Sequence, residues 1–145
     1  MLQVQTQSFC NGQCPICPYH ISSQILGNGT MEEDLFERIA SELVSENQVC
    51  TLVFVLHNEP LIDKRLFDWI KHVKASSSET HCTIVTNGEL LDSFVLAEMV
   101  QSGLDELIIS LNAHTKEIYE SMNAGLDFDK VMKNVHYVIS DRHTK

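Results

Sequence analysis

The chain has 145 residues, of which 43% are hydrophobic and 21% charged, the balance of a globular protein with one sizeable core. Ten basic against twenty acidic side chains give a formal net charge of −10, a field that repels phosphate backbones and anionic headgroups and argues against nucleic-acid or membrane partners. No apolar run reaches the roughly 20 residues that span a bilayer, and MLQVQTQSFCNGQC lacks a basic segment followed by an apolar stretch, so the expected location is cytoplasmic.

Along the chain a unit of strand, loop and helix recurs. The first expected strand is VQTQSF, Val4 to Phe9, and CNGQCPIC follows it. Thr30 with Glu33 forms a capping-box pattern ahead of a helix whose apolar positions are Leu35, Ile39 and Leu43. TLVFVL, Thr51 to Leu56, is a short apolar and β-branched run, as expected of a buried parallel strand, and leads into HNEP. Leu66, Trp69, Ile70 and Val73 make the next helical stripe, which ends near Ala75 and the polar loop SSSE. CTIVT, Cys82 to Thr86, is the third strand, followed by NGE. Leu91, Phe94, Val95 and Met99 form a third stripe closed by Gly103. ELIISL, Glu106 to Leu111, is the fourth strand and runs into NAH. Asp127 is placed to cap a last helix with Phe128, Val131, Met132, Val135 and Ile139 facing inward, before the polar tail SDRHTK.

Alternating strands and helices imply an α/β fold with a parallel sheet and right-handed crossovers. An open doubly wound sheet and a section of a β/α barrel both satisfy the pattern, and both gather ligands at the C-terminal ends of the strands. Every chemically unusual cluster of this sequence falls at that end, so four loops distant in sequence are expected to converge on one site.

Five cysteines without a secretory signal do not read as a disulfide framework. Cys50 and Cys82 adjoin apolar runs and read as buried structural thiols. Cys10, Cys14 and Cys17 instead stand at C-x3-C-x2-C spacing, with Gly12 and Pro15 suited to a wrapping loop. Thiolates hold both tetrahedral zinc and iron–sulfur clusters. With His20 as a fourth ligand the loop would close a zinc site, whereas three cysteines alone leave one iron of a cubane open. The spacing leaves both alternatives standing.

The remaining loops bear on that choice. C-x3-C-x2-C after a first strand resembles the signature of the radical-SAM superfamily. VLHNEPLID, Val55 to Asp63, is similar to its second motif, GGEP, and TIVTNGELL resembles its third-strand segment. LIISLNAHTKEIYESMNAGLDFDKV closely resembles the fourth-strand region of members with a C-terminal SPASM domain. The four motifs occur in order, and the resemblance runs from Gln3 to Ile139.

This resemblance implies a [4Fe–4S] cluster that cleaves S-adenosylmethionine to methionine and a 5′-deoxyadenosyl radical, which abstracts hydrogen from a substrate. Cys10, Cys14 and Cys17 would ligate three irons, and the fourth would bind the amino and carboxylate groups of S-adenosylmethionine. Glu59, with backbone groups near His57 and Asn58, would receive the ammonium. Ser110 and Asn112 resemble the polar pair that contacts the ribose or the methionine carboxylate. Ile16 stands where an aromatic residue near the adenine is usual, and His57 and Asn58 replace glycines of the motif. An electron donor such as flavodoxin or ferredoxin is implied, and the SPASM-like segment implies a peptide or protein substrate. The family's core is a partial (β/α)6 barrel, of which four units are expected here. Residues 1–145 thus read as one core domain ending after the fourth βα unit, either a fragment or a truncated relative. An exposed edge strand would follow, which a homodimer would cover. The competing functions are a non-catalytic zinc domain and a truncated relative acting as a partner subunit.

Overall fold

The computed structural model describes residues 1–45 and 50–142. Its strands are β1 (Leu2–Val4), β2 (Thr51–Phe54), β3 (His81–Thr86) and β4 (Glu106–Ile109), all parallel and ordered β1-β2-β3-β4. The helices are α1 (Tyr19–Leu26), α2 (Glu33–Ser45), α3 (Leu66–Ser76), α4 (Ser93–Ser102), α5 (Lys116–Met122) and α6 (Phe128–Arg142), with a 3-10 turn at Pro60–Ile62. A strand order that rises steadily, joined by crossovers of one hand, places successive helices on the same face of the sheet. This is the geometry of a barrel section, not of a doubly wound sheet, which reverses direction.

The main core lies under that helical layer. Leu52, Phe54, Cys82 and Ile84 point from β2 and β3 toward Phe36 and Ala40 of α2 and Leu66, Trp69, Ile70 and Val73 of α3. Phe36 stacks on Trp69 with ring centroids 4.2 Å apart, and the Arg65 guanidinium lies 4.3 Å from the Trp69 ring centre. A second cluster joins α5 and α6 through Tyr119, Leu126 and Val131.

Several sequence expectations shift in register. The first strand is Leu2–Val4, not Val4–Phe9. Its ladder stops where Val4 meets Phe54, the last residue of β2, and Gln7 then bridges antiparallel to Thr30. Thr30 stands three residues ahead of Glu33, where α2 begins, and so lies outside the cap position; the Glu32 carbonyl accepts from Phe36 N. The buried face of α2 is Phe36 and Ala40, while Leu35 is 47% exposed. On α4, Phe94 is 71% exposed although Met99 is buried, and on α6 Ile139 is exposed. Asp127 does cap α6, its Oδ1 accepting from Lys130 N at 3.1 Å, and Gly103 closes α4 in the left-handed conformation. Cys82 is buried and Cys50 half-buried, and all five thiols are free. Of the expected tail, Ser140 to Arg142 belong to α6, and residues 143–145 lie outside the described residues. No helix among the described residues is long and apolar enough to cross a membrane.

Candidate functional site

The loop carrying the three cysteines leaves β1 and turns back on itself before α1. Cys17 N donates to the Cys14 carbonyl at 3.0 Å, a turn with Pro15 at its favoured second position. Gly12 N approaches Cys10 Sγ at 3.4 Å, and Cys10 N donates to the Tyr19 hydroxyl of α1 at 3.2 Å. All three thiols are partly buried. Burial first, then the charges of Glu59, Cys14 and Cys17, push the Cys10 thiol above its ordinary value; burial and then Cys17 do the same to Cys14.

Loops from the other three strands grip this one. After β3, Asn87 Nδ2 donates to Asn11 Oδ1 at 2.8 Å, and Asn11 Nδ2 donates to Glu89 Oε2 at 2.7 Å. After β2, Glu59 N donates to the Phe9 carbonyl at 2.9 Å, and Gln7 Nε2 donates to the Glu59 carbonyl at 2.7 Å. After β4, the segment closing α5 lies along the loop. Gln13 N donates to the Ala124 carbonyl, the Cys14 thiol lies 3.8 Å from Asn123 Oδ1, and Asn112 Nδ2 donates to that same oxygen at 2.8 Å. The expected convergence of four loops on one end of the sheet is thus realised in named hydrogen bonds.

Glu59 is the innermost acid of the site, 1% exposed. Its Oε1 accepts from Thr86 Oγ1 at 2.6 Å and Leu61 N at 3.1 Å, and its Oε2 accepts from Asn87 N at 2.8 Å. Burial pushes its carboxyl up, the three donors pull it down and the Glu89 charge pushes it up again, with a net rise. Thr86 and Asn87 are therefore the braces of this acid, beside a Gly88 whose φ of +81° no side chain adopts easily. His57 N donates to Gln5 Oε1, and Asn58 Oδ1 accepts from Leu56 N. Ser110 N continues the sheet by donating to the Thr86 carbonyl, and Asn112 is exposed. Ile16 is 59% exposed at the tip of the cysteine loop.

His20 does not join the thiols. It is exposed, and its Nδ1 lies 3.3 Å from the Cys17 carbonyl. Among the described residues no three His, Cys, Asp or Glu side chains gather closely enough to share one metal ion. A cubane offers each thiolate its own iron and does not need the three to meet at one point. Two further observations fit such a group. A Cβ on Gly12 would stand 3.4 Å from Cys14 Sγ and from Leu126 Cγ, so the loop passes close over its own sulfur at this residue. Behind the loop, the Tyr119 hydroxyl is fully buried with no hydrogen-bond partner.

Asn11, Glu89, Tyr119 and Asn123 are not among the sequence-derived site residues. A signal for two of them was nonetheless present: Asn11-Gly12 and Asn123-Ala124-Gly125, like Asn87-Gly88, each set an asparagine beside a glycine on the same end of the sheet.

A family model, that of the radical SAM superfamily, matches residues 4–141. The chain belongs to the radical SAM superfamily. Among curated relatives, the S-adenosyl-L-methionine-dependent 2-deoxy-scyllo-inosamine dehydrogenase of Niallia circulans is 27% identical over 148 residues, covering 98% of this chain and 58% of its own length. The GTP 3′,8-cyclase of Clostridium botulinum is 28% identical over 142 residues, covering 96% of this chain and 43% of its own length. The chain therefore spans about half the length of these relatives. The solved structure of anSMEcpe with bound AdoMet and Cp18Cys peptide is similar in fold, with a TM-score of 0.72 and 23% identity over 92% of this chain and 38% of that one. The superfamily is one of enzymes using a [4Fe–4S] cluster and S-adenosylmethionine, and its match covers the cysteine loop and the other three strand-end loops described above.

Proposed function

We propose that this chain binds a [4Fe–4S] cluster through Cys10, Cys14 and Cys17 and, beside it, S-adenosylmethionine. The observation that carries the proposal is the three-thiol loop held by hydrogen bonds from the ends of all the other strands. Held by these three thiols, such a cluster would supply the electron for reductive cleavage of S-adenosylmethionine to methionine and a 5′-deoxyadenosyl radical.

The chain's own residues bind and orient. Glu59, with the backbone near His57 and Asn58, receives the ammonium; a carboxylate has about four acceptor sites, and three donors leave one open. Ser110 and Asn112 contact the ribose or the methionine carboxylate, Asn112 being steadied by Asn123. Ile16 offers an aliphatic face to the adenine. The electron comes from a donor such as flavodoxin or ferredoxin, in the cytoplasm. The substrate class is a peptide or protein, a proposal supported by the SPASM-like fourth-strand segment.

Anaerobic incubation of the cluster-loaded chain with dithionite and S-adenosylmethionine tests this, with 5′-deoxyadenosine and methionine read by mass spectrometry. Both products are expected from the native chain and neither from Cys14→Ala. A cluster-loaded chain that yields none would make it a non-cleaving partner subunit. For the substrate, deuterium passing from a labelled peptide into 5′-deoxyadenosine is the expected result, and transfer only from a labelled sugar or nucleotide would contradict it.

A further inference from the structure

The last turn of α5 backs directly onto the cysteine loop, and its buried polar groups are settled with one exception. Asn123, itself buried, uses its amide nitrogen and backbone N on the Tyr119 carbonyl, and its oxygen on Asn112 and the Cys14 thiol. Tyr119 is fully buried, its ring tilted against Phe128 at 5.3 Å, yet its hydroxyl has no partner. A buried hydroxyl left unpaired costs on the order of 1–3 kcal/mol. Phenylalanine would fill the same space without that cost, so packing alone does not account for a tyrosine here. Leu126, which packs in the same buried cluster as Tyr119, also lies against Gly12, its Cγ 3.4 Å from where a Cβ there would stand, so the cluster holding the phenol borders the cysteine loop.

Resting on the cluster assignment above, we propose that Tyr119 is a positioning residue for the Cys14 corner of the cluster, its hydroxyl donating the missing hydrogen bond to sulfur there. A donor to a cluster sulfur spreads the charge of the reduced state, so it raises the reduction potential and slows loss of the metal. Burial first, and then the negative charge of Cys14 and Glu89, push the phenol up to about 12, so it keeps its proton at neutral pH. Asn123 holds the same turn and carries the contact on to Asn112.

The test compares Tyr119→Phe with the native chain in two states. Without iron, the variant is expected to melt at the native midpoint or above it, since the hydroxyl it loses was unpaired. After anaerobic reconstitution, it is expected to lose iron to a chelator about tenfold faster or more, with a lower midpoint potential. Equal iron-loss rates and equal potentials in the two reconstituted chains would overturn the proposal while leaving the cluster itself established. A lower melting midpoint of the iron-free variant would also overturn it, by revealing a partner for the hydroxyl within the chain. A native chain that takes up no cluster would overturn the cluster assignment and this proposal together.

Discussion

Glu59→Gln in the iron-free chain probes how the strand ends are held together. The carboxylate takes three donors: Thr86 Oγ1 and Leu61 N on Oε1, and Asn87 N on Oε2. Thr86 Oγ1 in turn accepts from Gly88 N at 3.1 Å. Glutamine presents one oxygen and one NH2 in the same place. If the NH2 replaces Oε2 it faces the N–H of Asn87; if it replaces Oε1 it faces that of Leu61. One half-buried backbone donor, pointed at this buried side chain, is unpaired in either orientation, at a cost of about 1–3 kcal/mol. The remaining bonds also lose their charge assistance. Against this, glutamine avoids burying a charge, the same burial that pushes the Glu59 carboxyl up. The net expectation is a loss of about 2 kcal/mol at neutral pH, read as a lower midpoint in urea denaturation with an unchanged slope. A variant as stable as the native chain, or more so, would refute the assignment of Glu59 as the brace between β2 and β3.

Other perturbations reach different parts of the molecule. Phe36→Ala removes a fully buried ring stacked on Trp69 and is expected to cost about 3–5 kcal/mol in denaturant unfolding. Gly88→Ala forces a side chain onto φ +81°, with its Cβ 3.0 Å from Ile109 Cγ2; a loss of about 1–2 kcal/mol from the backbone alone is expected in the same assay. Asp63 is buried and accepts from Arg65 Nε at 3.0 Å and Nη2 at 2.9 Å; burial raises its carboxyl, but the Arg65 bonds outweigh that and hold it below the usual range. Because its folded value is depressed, its stabilisation is present above the unfolded value of about 4 and is lost as pH falls through the folded one. Asp63→Asn should therefore be less stable than the native chain at pH 7 in urea titrations, with the gap closing below about pH 4.

The motif-bearing ends of the strands were legible in the sequence because each strand is a short apolar run and each following loop is rich in groups that apolar strands exclude. Four parallel strands and the convergence of the four loops follow from that alternation. The cores of the helices were less legible. Leu35 and Phe36 are adjacent and both apolar, and periodicity does not choose between them; Trp69, distant in sequence, selects Phe36 by stacking. Thr30 carries the side chain of a cap, but it pairs with the distant Gln7, and α2 begins only at Glu33. The clamp on the cysteine loop was hidden for a similar reason. Tyr119 lies on, and Asn123 caps, a short, largely polar helix whose end meets the cysteine loop at the distant residues 13 and 14, so no local pattern marks them.

The most direct test of the central claim is iron and sulfide analysis of the anaerobically reconstituted chain, with its absorption and electron paramagnetic resonance spectra. The expected result is a brown protein with the iron and sulfide of one [4Fe–4S] cluster per chain, lost in Cys10→Ala, Cys14→Ala and Cys17→Ala alike. A colourless chain carrying a single zinc, or a cluster that survives loss of any one of those thiols, would contradict it.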